Sequence, residues 1–289
     1  MQDDGSFLSN SNETFHREFV EAAHSRGMKV IETFQDGPSV FFTPEQHEEL
    51  SEARMTPEWW DNWYREWKTF LLKRAEMSEK HGVDAIILLM FSEGSMDLTL
   101  VPDSAEKWTD IINSVREVYS GEIGLNFISL DERFTFIEEL DFIQVTYFGA
   151  LWTTRDMMAN VQEPTMDEVM AINDIMFEGL ELFDSKGVPI YAVLTVGSSD
   201  GQNQEEDPDL RSGVDFNEQV LYYEAFYTSL DQYDWVDGIF TERWDFWDEY
   251  RRFGEEYDVQ YFSEIGSASP RNKPAEDVVA LWHEVYQSP

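Results

Sequence analysis

Short apolar segments alternate with amphipathic helical segments along the chain, and this alternation restricts the possible folds more than any other feature. The apolar segments are rich in β-branched and aromatic residues, so each is predicted to be a buried strand. Strands are predicted over 28–34, 84–91, 121–129, 141–149, 188–196 and 236–244. Helices are predicted over 15–26, 57–81, 104–120, 134–140, 165–186, 215–232 and 274–286. Because a helix precedes every strand, the pattern indicates an α/β fold with a parallel sheet covered by helices.

The predicted strands do not lead into a glycine-rich phosphate loop, which argues against a dinucleotide-binding sheet. They end instead in polar or aromatic residues: Gln35, Glu93, Asn126, Tyr147, Asp200 and Glu242. A ring of such residues at the carboxyl ends of parallel strands is typical of the catalytic face of a (β/α)₈ TIM barrel. The chain of 289 residues suits one such domain, which is predicted over residues 1–289.

The number of strands does not match a closed barrel. A TIM barrel has eight strands, and the pattern above supplies fewer, so we expect a barrel that is N-terminally truncated or incomplete. Its edges would be Met28–Phe34 and Gly238–Trp244. Since apolar edges do not persist uncovered in water, we expect them to pair with each other, to be capped by residues 1–14, or to pair with a partner chain. Two more βα units are expected upstream of Met1 in the natural polypeptide.

The charge composition excludes several classes of partner. The chain has 59 acidic and 20 basic residues, for a net charge of −39. This charge repels nucleic acid and anionic membrane surfaces. The longest apolar stretch, Ala85–Phe91, is too short to cross a bilayer, so no membrane insertion is expected. This excess of acidic residues is typical of an acidic secreted protein or of a protein from a halophilic or marine source. In a salty environment, ions screen the repulsion between the acidic side chains.

The N-terminal residues are polar and acidic and show no signal peptide. An extracellular or cell-surface location is expected, with the signal removed or lying outside this chain. Cysteine is absent, which excludes disulfides and thiolate metal ligands. The histidines lack metal-binding spacing, and the acidic loop over 200–213 does not match an EF-hand. We therefore predict no cofactor and no metal.

Several motifs occur in an order that resembles clan-A glycoside hydrolases. They are Gly82-Val83-Asp84, Trp108, Arg116, Tyr119, Gly121, Asn126, Leu140-Asp141, Tyr147, Gln219, Tyr222, Tyr223, Gly238-Ile239-Phe240 and Lys273-Pro274-Ala275-Glu276. Together they resemble glycoside hydrolase family 113, the β-mannanase-like group, over about residues 19–286. The resemblance implies a TIM barrel in which Gly27–Val30 belongs to the third strand and the first two βα units are missing.

Glycoside hydrolysis needs two carboxyl groups that flank the scissile bond. In the family that the chain resembles, glutamates after the fourth and seventh strands supply them. An ungapped count places Phe91 at the first position, and Glu93 follows two residues later, on the same face of an extended strand. At the second position the chain has Val196, which cannot ionise or act as a nucleophile. Asp200 and Glu242 are the alternative candidates for the second carboxylate.

Other residues at or after strand ends suit a sugar cleft. Asn126 and Tyr147 are predicted to orient sugar hydroxyls, and Trp152, Trp244 and Trp247 are predicted to stack on pyranose rings. The tryptophans of the helix at 57–81 have a spacing more typical of core packing. They are Trp59, Trp60, Trp63 and Trp67.

The resemblance implies a glycoside hydrolase-like protein that acts on, or binds, a β-linked oligo- or polysaccharide. Glu93 would be the acid/base, and Asp200 or Glu242 the second carboxylate. The absence of a carboxylate at Val196 leaves open a non-catalytic carbohydrate-binding pseudoenzyme. A third alternative is a structural module of a larger acidic surface protein.

Overall fold

The computed structural model describes residues 13–36, 44–90, 101–127, 134–147, 164–184, 186–197, 215–241, 269–271 and 273–287. The strands in this part of the chain are β1 (Ile31–Thr33), β2 (Ala85–Ile87), β3 (Glu122–Phe127), β4 (Phe142–Tyr147), β5 (Ile190–Leu194) and β6 (Gly238–Thr241). The helices are α1 (Glu13–His24), α2 (Pro44–Ala53), α3 (Pro57–His81), α4 (Ser104–Arg116), α5 (Met166–Asp184), α6 (Phe216–Leu230) and α7 (Pro274–Gln287). A 3₁₀ helix, Thr135–Glu139, precedes β4.

The strands form a six-stranded sheet in the order β1-β2-β3-β4-β5-β6. The registers are parallel: Ile31 pairs with Ala85, Ala85 with Glu122, and Tyr191 with Gly238. Strands that pair in chain order, with helices between them, form a partial TIM barrel, so the predicted α/β fold class is confirmed. The edges are β1 and β6 within the described part of the sheet. That these edges pair with each other, are capped by residues 1–14 or pair with a partner chain stays a prediction.

Helix α2 was missing from the sequence prediction. Its sequence, PEQHEELSEA, contains few apolar residues, so it lacks the periodicity on which helix prediction depends. Leu50 is its buried apolar contact. A helix held by so little apolar surface gives no hydrophobic stripe to recognise.

The chain divides into two compact units. The first unit contains Met1–Gln144 and Lys186–Pro189, and the second contains Val145–Ser185 and Ile190–Pro289. The prediction of a single barrel domain over residues 1–289 stays a prediction.

The core of the first unit is built on α3. Pro57 lies at its first turn, and Gly82, with a φ of 74°, ends it in the left-handed conformation that glycine adopts without strain. The tryptophans of this helix lie in the core, as predicted: Trp63 and Trp67 are fully buried, and their rings stack with centroids 5.5 Å apart. Trp108 of α4 meets Trp63 edge-on at 6.3 Å. This aromatic layer fixes α3 and α4 within the unit.

The second unit has an aromatic core of its own. Phe177 of α5 and Phe226 of α6 lie 5.6 Å apart, and Tyr147 of β4 packs against both rings. The N-terminus of α6 is capped by Asp215, whose carboxylate accepts hydrogen bonds from the backbone of Asn217 and Glu218. Capping and aromatic packing together position α6 against the strand end that carries Val196.

Candidate functional site

In the first unit, the two faces of β3 have different surroundings. The ring of Phe127 stacks on Phe134, which contacts Phe136, and Phe136 in turn contacts Trp108 of α4. Phe127 therefore belongs to the face that the helices cover. Since neighbouring side chains of a strand point to opposite faces, Asn126 lies on the other face. In a barrel of this class, that face lines the interior.

Asn126 forms a buried amide pair with Gln144 of β4. Its Nδ2 donates to Oε1 of Gln144 at 3.3 Å, and the two residues are 0% and 7% exposed. A buried side-chain amide must be satisfied by hydrogen bonds, so the pair fixes the orientation of both groups. Amides can orient hydroxyls, but they cannot act as acid or base at neutral pH. Gln144 was not identified from the sequence.

The segment that follows β2 runs beside β3. Ile87 pairs with Gly124, two residues before Asn126, and the Asn126 backbone N–H donates to the carbonyl of Leu89 at 3.2 Å. Glu93, the predicted acid/base, lies outside the described residues.

Asp36, which follows β1, is a carboxylate that the sequence analysis did not select. Its Oδ2 accepts hydrogen bonds from Nε1 of Trp63 at 3.1 Å and from Nη2 of Arg54 at 3.2 Å. Burial raises the pKa of Asp36 above its ordinary value of 3.8, although Arg54 and Trp63 act in the opposite direction. Because Trp63 belongs to α3, this carboxylate faces the helical layer, unlike the amide pair. It joins the end of β1 to α3 and to the residue after α2.

In the second unit, Tyr147 lies within the aromatic core. Its ring centroid is 5.2 Å from that of Phe177 and 5.7 Å from that of Phe226. Burial raises the pKa of the Tyr147 hydroxyl well above its ordinary value. That hydroxyl is buried and has no hydrogen-bond partner among the described residues. The ring thus contacts the helices, and its predicted role at a sugar hydroxyl stays a prediction.

Val196 is 1% exposed and follows β5. Its carbonyl oxygen accepts a hydrogen bond of 2.9 Å from Nε2 of Gln219 on α6. The Gln219 side chain is fully buried, and its Oε1 has no partner among the described residues. Strand end and helix are therefore joined by a polar contact, and the valine itself contributes no ionisable group.

The remaining predicted site residues lie outside the described residues. They are Asp200, Glu242, Trp152, Trp244 and Trp247. Within the described ranges, no cluster of His, Asp or Glu side chains has a geometry that could hold a metal ion. No helix in those ranges is long and apolar enough to cross a membrane.

The order of strands and helices defines the class of this protein as a partial TIM barrel with a polar pair on one face of its sheet. The family is shown by a direct match: residues 11–263 match the model of Glycoside Hydrolase Family 113. The chain belongs to this family, as the motif order predicted. No curated protein sequence matches it.

Solved structures with the same fold support this assignment. A GH113 β-1,4-mannanase is similar with a TM-score of 0.64 and 18% identity, over 96% of this chain and 80% of that chain. The GH113 β-mannanase AaManA from Alicyclobacillus acidocaldarius, in complex with ManMIm, gives a TM-score of 0.63 and 18% identity, over 99% and 84%. An apo β-glucuronidase from Ruminococcus gnavus gives 0.60 and 14%, over 92% and 42%. At these identities the likeness concerns the fold alone.

Proposed function

We propose that this chain binds and hydrolyses a neutral β-linked polysaccharide, with β-1,4-mannan as the first substrate to test. The observation that carries the proposal is the match of residues 11–263 to a glycoside hydrolase family. Two similar structures of β-1,4-mannanases support the choice of this linkage for the first test. A neutral sugar suits a chain with a net charge of −39, because an anionic polymer would be repelled.

The amide pair of Asn126 and Gln144 supports this proposal. A buried polar pair contributes less to stability than apolar packing of the same volume does, and its hydrogen bond holds both amides in one orientation. In the proposed site, the pair orients the residues around the bound sugar at the carboxyl ends of β3 and β4. It supplies no proton, so the acid–base chemistry belongs to carboxyl groups.

The proposal assigns the acid/base role to Glu93 and the second carboxylate to Asp200 or Glu242. The acid protonates the leaving glycosidic oxygen, and the ionised partner attacks the anomeric carbon or activates a water molecule. A separation of about 5–5.5 Å between the two carboxyl groups gives retention of configuration, whereas about 6.5–9.5 Å gives inversion. The stereochemistry of the product therefore reports how far apart the two groups are.

A second candidate function is carbohydrate binding without catalysis. Val196 favours it, because valine stands where the resemblance places the family nucleophile and carries no ionisable group. Aromatic stacking and the amide pair would remain available for binding. An extracellular location suits both candidates, because a polysaccharide substrate is met outside the cell.

The test compares release of reducing ends from β-1,4-mannan and from α-1,4-glucan by the full chain. The proposal predicts release from the β-linked polymer only. Glu93→Gln is expected to lower the rate by about 10²-fold or more, because general acid catalysis contributes on that scale. Asp200→Asn and Glu242→Gln, measured side by side, identify the second carboxylate as the one whose loss has a similar effect.

Circular dichroism and thermal melting of each variant establish that folding is intact. A wild-type chain that binds β-1,4-mannan without releasing reducing ends would replace the catalytic proposal with the binding one. An unchanged rate in Glu93→Gln would remove that residue from the mechanism.

A further inference from the structure

The second unit contains a pocket at the amino end of β6. It has a volume of about 320 Å³ and lies beside Gly238, the first residue of β6. Its walls include Leu230, Tyr233, Asp237, His283 and Tyr286. Because the catalytic face of a barrel lies at the carboxyl ends of the strands, this pocket at an amino end is separate from the proposed active site.

One residue that lines the pocket, Tyr286, has an aromatic ring that is supported on one side by other aromatic rings. The ring of Tyr286 stacks on Trp282 with centroids 5.9 Å apart, and Trp282 stacks on Tyr227 at 5.8 Å. The Tyr286 hydroxyl also donates to the Tyr227 carbonyl at 3.4 Å. Tyr286 itself remains 43% exposed. A ring that is fixed on one side and open on the other loses little conformational entropy when a ligand stacks on it.

A second tyrosine that lines the pocket, Tyr233, is supported in a similar way. Tyr233 packs against Phe177 at 5.3 Å and against Trp235 at 5.6 Å, yet its side chain remains only half-buried. The pocket is therefore lined by tyrosines from two separate segments of the chain, each supported by other rings. Rigid aromatic walls are typical of preformed ligand sites.

Two polar side chains, Asp237 and His283, also line the pocket. The Asp237 carboxylate accepts a hydrogen bond of 3.0 Å from the backbone N–H of Ile190, which fixes its orientation while the residue remains exposed. His283 is exposed and meets the Tyr227 ring edge-on at 6.5 Å. A carboxylate accepts hydrogen bonds from the hydroxyl groups of a ligand, and a neutral imidazole can accept one and donate another.

We propose that this pocket is an accessory binding site for a neutral sugar unit of the polysaccharide, separate from the catalytic face. The tyrosine rings stack on the apolar face of the pyranose, and Asp237 and His283 bind its hydroxyls. A long polymer held here stays attached while another segment of it reaches the active site, which raises its effective concentration there.

The charges around the pocket select against acidic sugars. Burial and the nearby charge of Asp231 raise the pKa of Tyr286 to about 12. Burial also raises the pKa of Tyr233, and the charges of Asp174, Glu178 and Glu181 act in the same direction. Negative potential around the pocket repels a uronate, whereas uncharged hydroxyls are unaffected. This inference rests on the proposed polysaccharide substrate for the identity of the ligand.

The test measures retention of the full chain in native gels that contain soluble galactomannan, in a Glu93→Gln background that prevents digestion. Tyr286→Ala is expected to weaken retention about tenfold, as for the loss of a central aromatic anchor. Leu281→Ala is the matched control, because Leu281 is 56% exposed on the same helix and does not line the pocket. Tyr286→Phe keeps the ring and is expected to retain binding.

Folding of each variant is checked by thermal melting, and Asp237→Asn provides a second variant that keeps an oxygen for the Ile190 N–H. When Glu93 is intact and the chain hydrolyses mannan, the substitution Tyr286→Ala is expected to slow hydrolysis of the polymer but not of a trisaccharide. Equal retention of Tyr286→Ala and Leu281→Ala would overturn the proposal. An inactive chain that is retained through Tyr286 supports the accessory site and contradicts only the catalytic proposal.

Discussion

The two edge strands of the sheet, β1 in the first unit and β6 in the second, are held by different kinds of interaction. On β1, the Glu32 carboxylate lies in a polar network with Arg74 and Ser78 of α3 and His16 of α1. The Ser78 hydroxyl donates to it at 2.5 Å, and His16 Nε2 lies 3.0 Å away. The Glu32 and Arg74 side chains are only 13% and 16% exposed.

On β6, the contacts are apolar and backbone interactions. Phe240 meets Tyr191 of β5 edge-on, with ring centroids 5.5 Å apart. Each residue of β6 is half-buried. The preceding Asp237 anchors the strand through the Ile190 N–H rather than through a buried cation.

This difference teaches that one sheet can be secured either by charge or by packing, with different sensitivities. A largely buried ion pair is strongly destabilised by loss of one partner, because the other charge is left uncompensated. Apolar packing loses stability in proportion to the volume removed and responds little to pH.

The largest effect is expected where a charge enters the second unit without a partner. Val196 is 1% exposed, and α6, which binds its carbonyl, contains no basic residue. Val196→Glu is expected to lower the free energy of unfolding by about 4 kcal/mol, the scale of an unpaired buried charge. Urea unfolding measures it, with Val196→Gln as the uncharged control of similar size. A stable Val196→Glu variant that hydrolyses β-1,4-mannan faster than wild type would show that this position faces the catalytic cleft.

A slightly smaller loss is expected when the β1 network is broken. Glu32→Ala removes the partner of Arg74 and is expected to lower the free energy of unfolding by about 3 kcal/mol. Glu32→Met combined with Arg74→Leu is expected to lose less, because no charge remains unpaired. Glu122→Ala, an exposed position at the start of β3, is the control and should change stability by no more than about 0.5 kcal/mol. A double variant less stable than Glu32→Ala would contradict the account.

The β1 network should also make the first unit sensitive to acid. Burial and the charge of Arg74 lower the pKa of His16 below its ordinary value of 6.5. The unfolded chain therefore binds a proton here more readily than the folded one, so stability falls as the pH drops below 6.5. Burial raises the pKa of Asp36 above its ordinary value of 3.8, so this carboxyl contributes in the opposite direction as the pH falls toward 3.8.

Unfolding of wild type and His16→Gln between neutral and mildly acidic pH tests this expectation. The wild-type chain should lose stability on acidification, and the variant should lose less over the same interval. Parallel curves for the two proteins would show that His16 does not titrate with folding.

Salt concentration is expected to produce the smallest change in stability. Its effect distinguishes repulsion between surface charges from the buried network of β1. The net charge of −39 repels itself at the surface, so molar salt is expected to raise the melting temperature. The loss caused by Glu32→Ala should stay the same in low and high salt, because buried pairs are screened little. A melting temperature that is unchanged or lower in molar salt would contradict the surface argument.

The strands, most helices and the family follow from sequence, because periodicity and motif order depend on neighbouring residues. The orientation of side chains within the strands does not. Every residue of β4 is buried, so the sequence shows no alternation that would place Gln144 and Tyr147 on opposite faces. Strand-end position alone therefore selected Tyr147, whose ring contacts α5 and α6, and missed Gln144.

The polar networks could not be predicted from the sequence either. Glu32 and Arg74 are far apart along the chain, and no local pattern marks them as a pair. Asp36 follows the strand end that was assigned to Gln35, and its burial depends on Trp63 and Arg54. Contacts of this kind arise only when the helices pack on the sheet.

The central claim is that this chain cleaves a β-linked polysaccharide with a pair of carboxyl groups. The most direct measurement follows the anomeric protons of β-1,4-mannohexaose by NMR during incubation with the full chain. Catalysis by a pair of carboxyl groups predicts signals of shorter oligosaccharides with a single first-formed anomer, and Glu93→Gln is expected not to produce them. An unchanged spectrum, at concentrations where the oligosaccharide binds, would contradict catalysis by this chain.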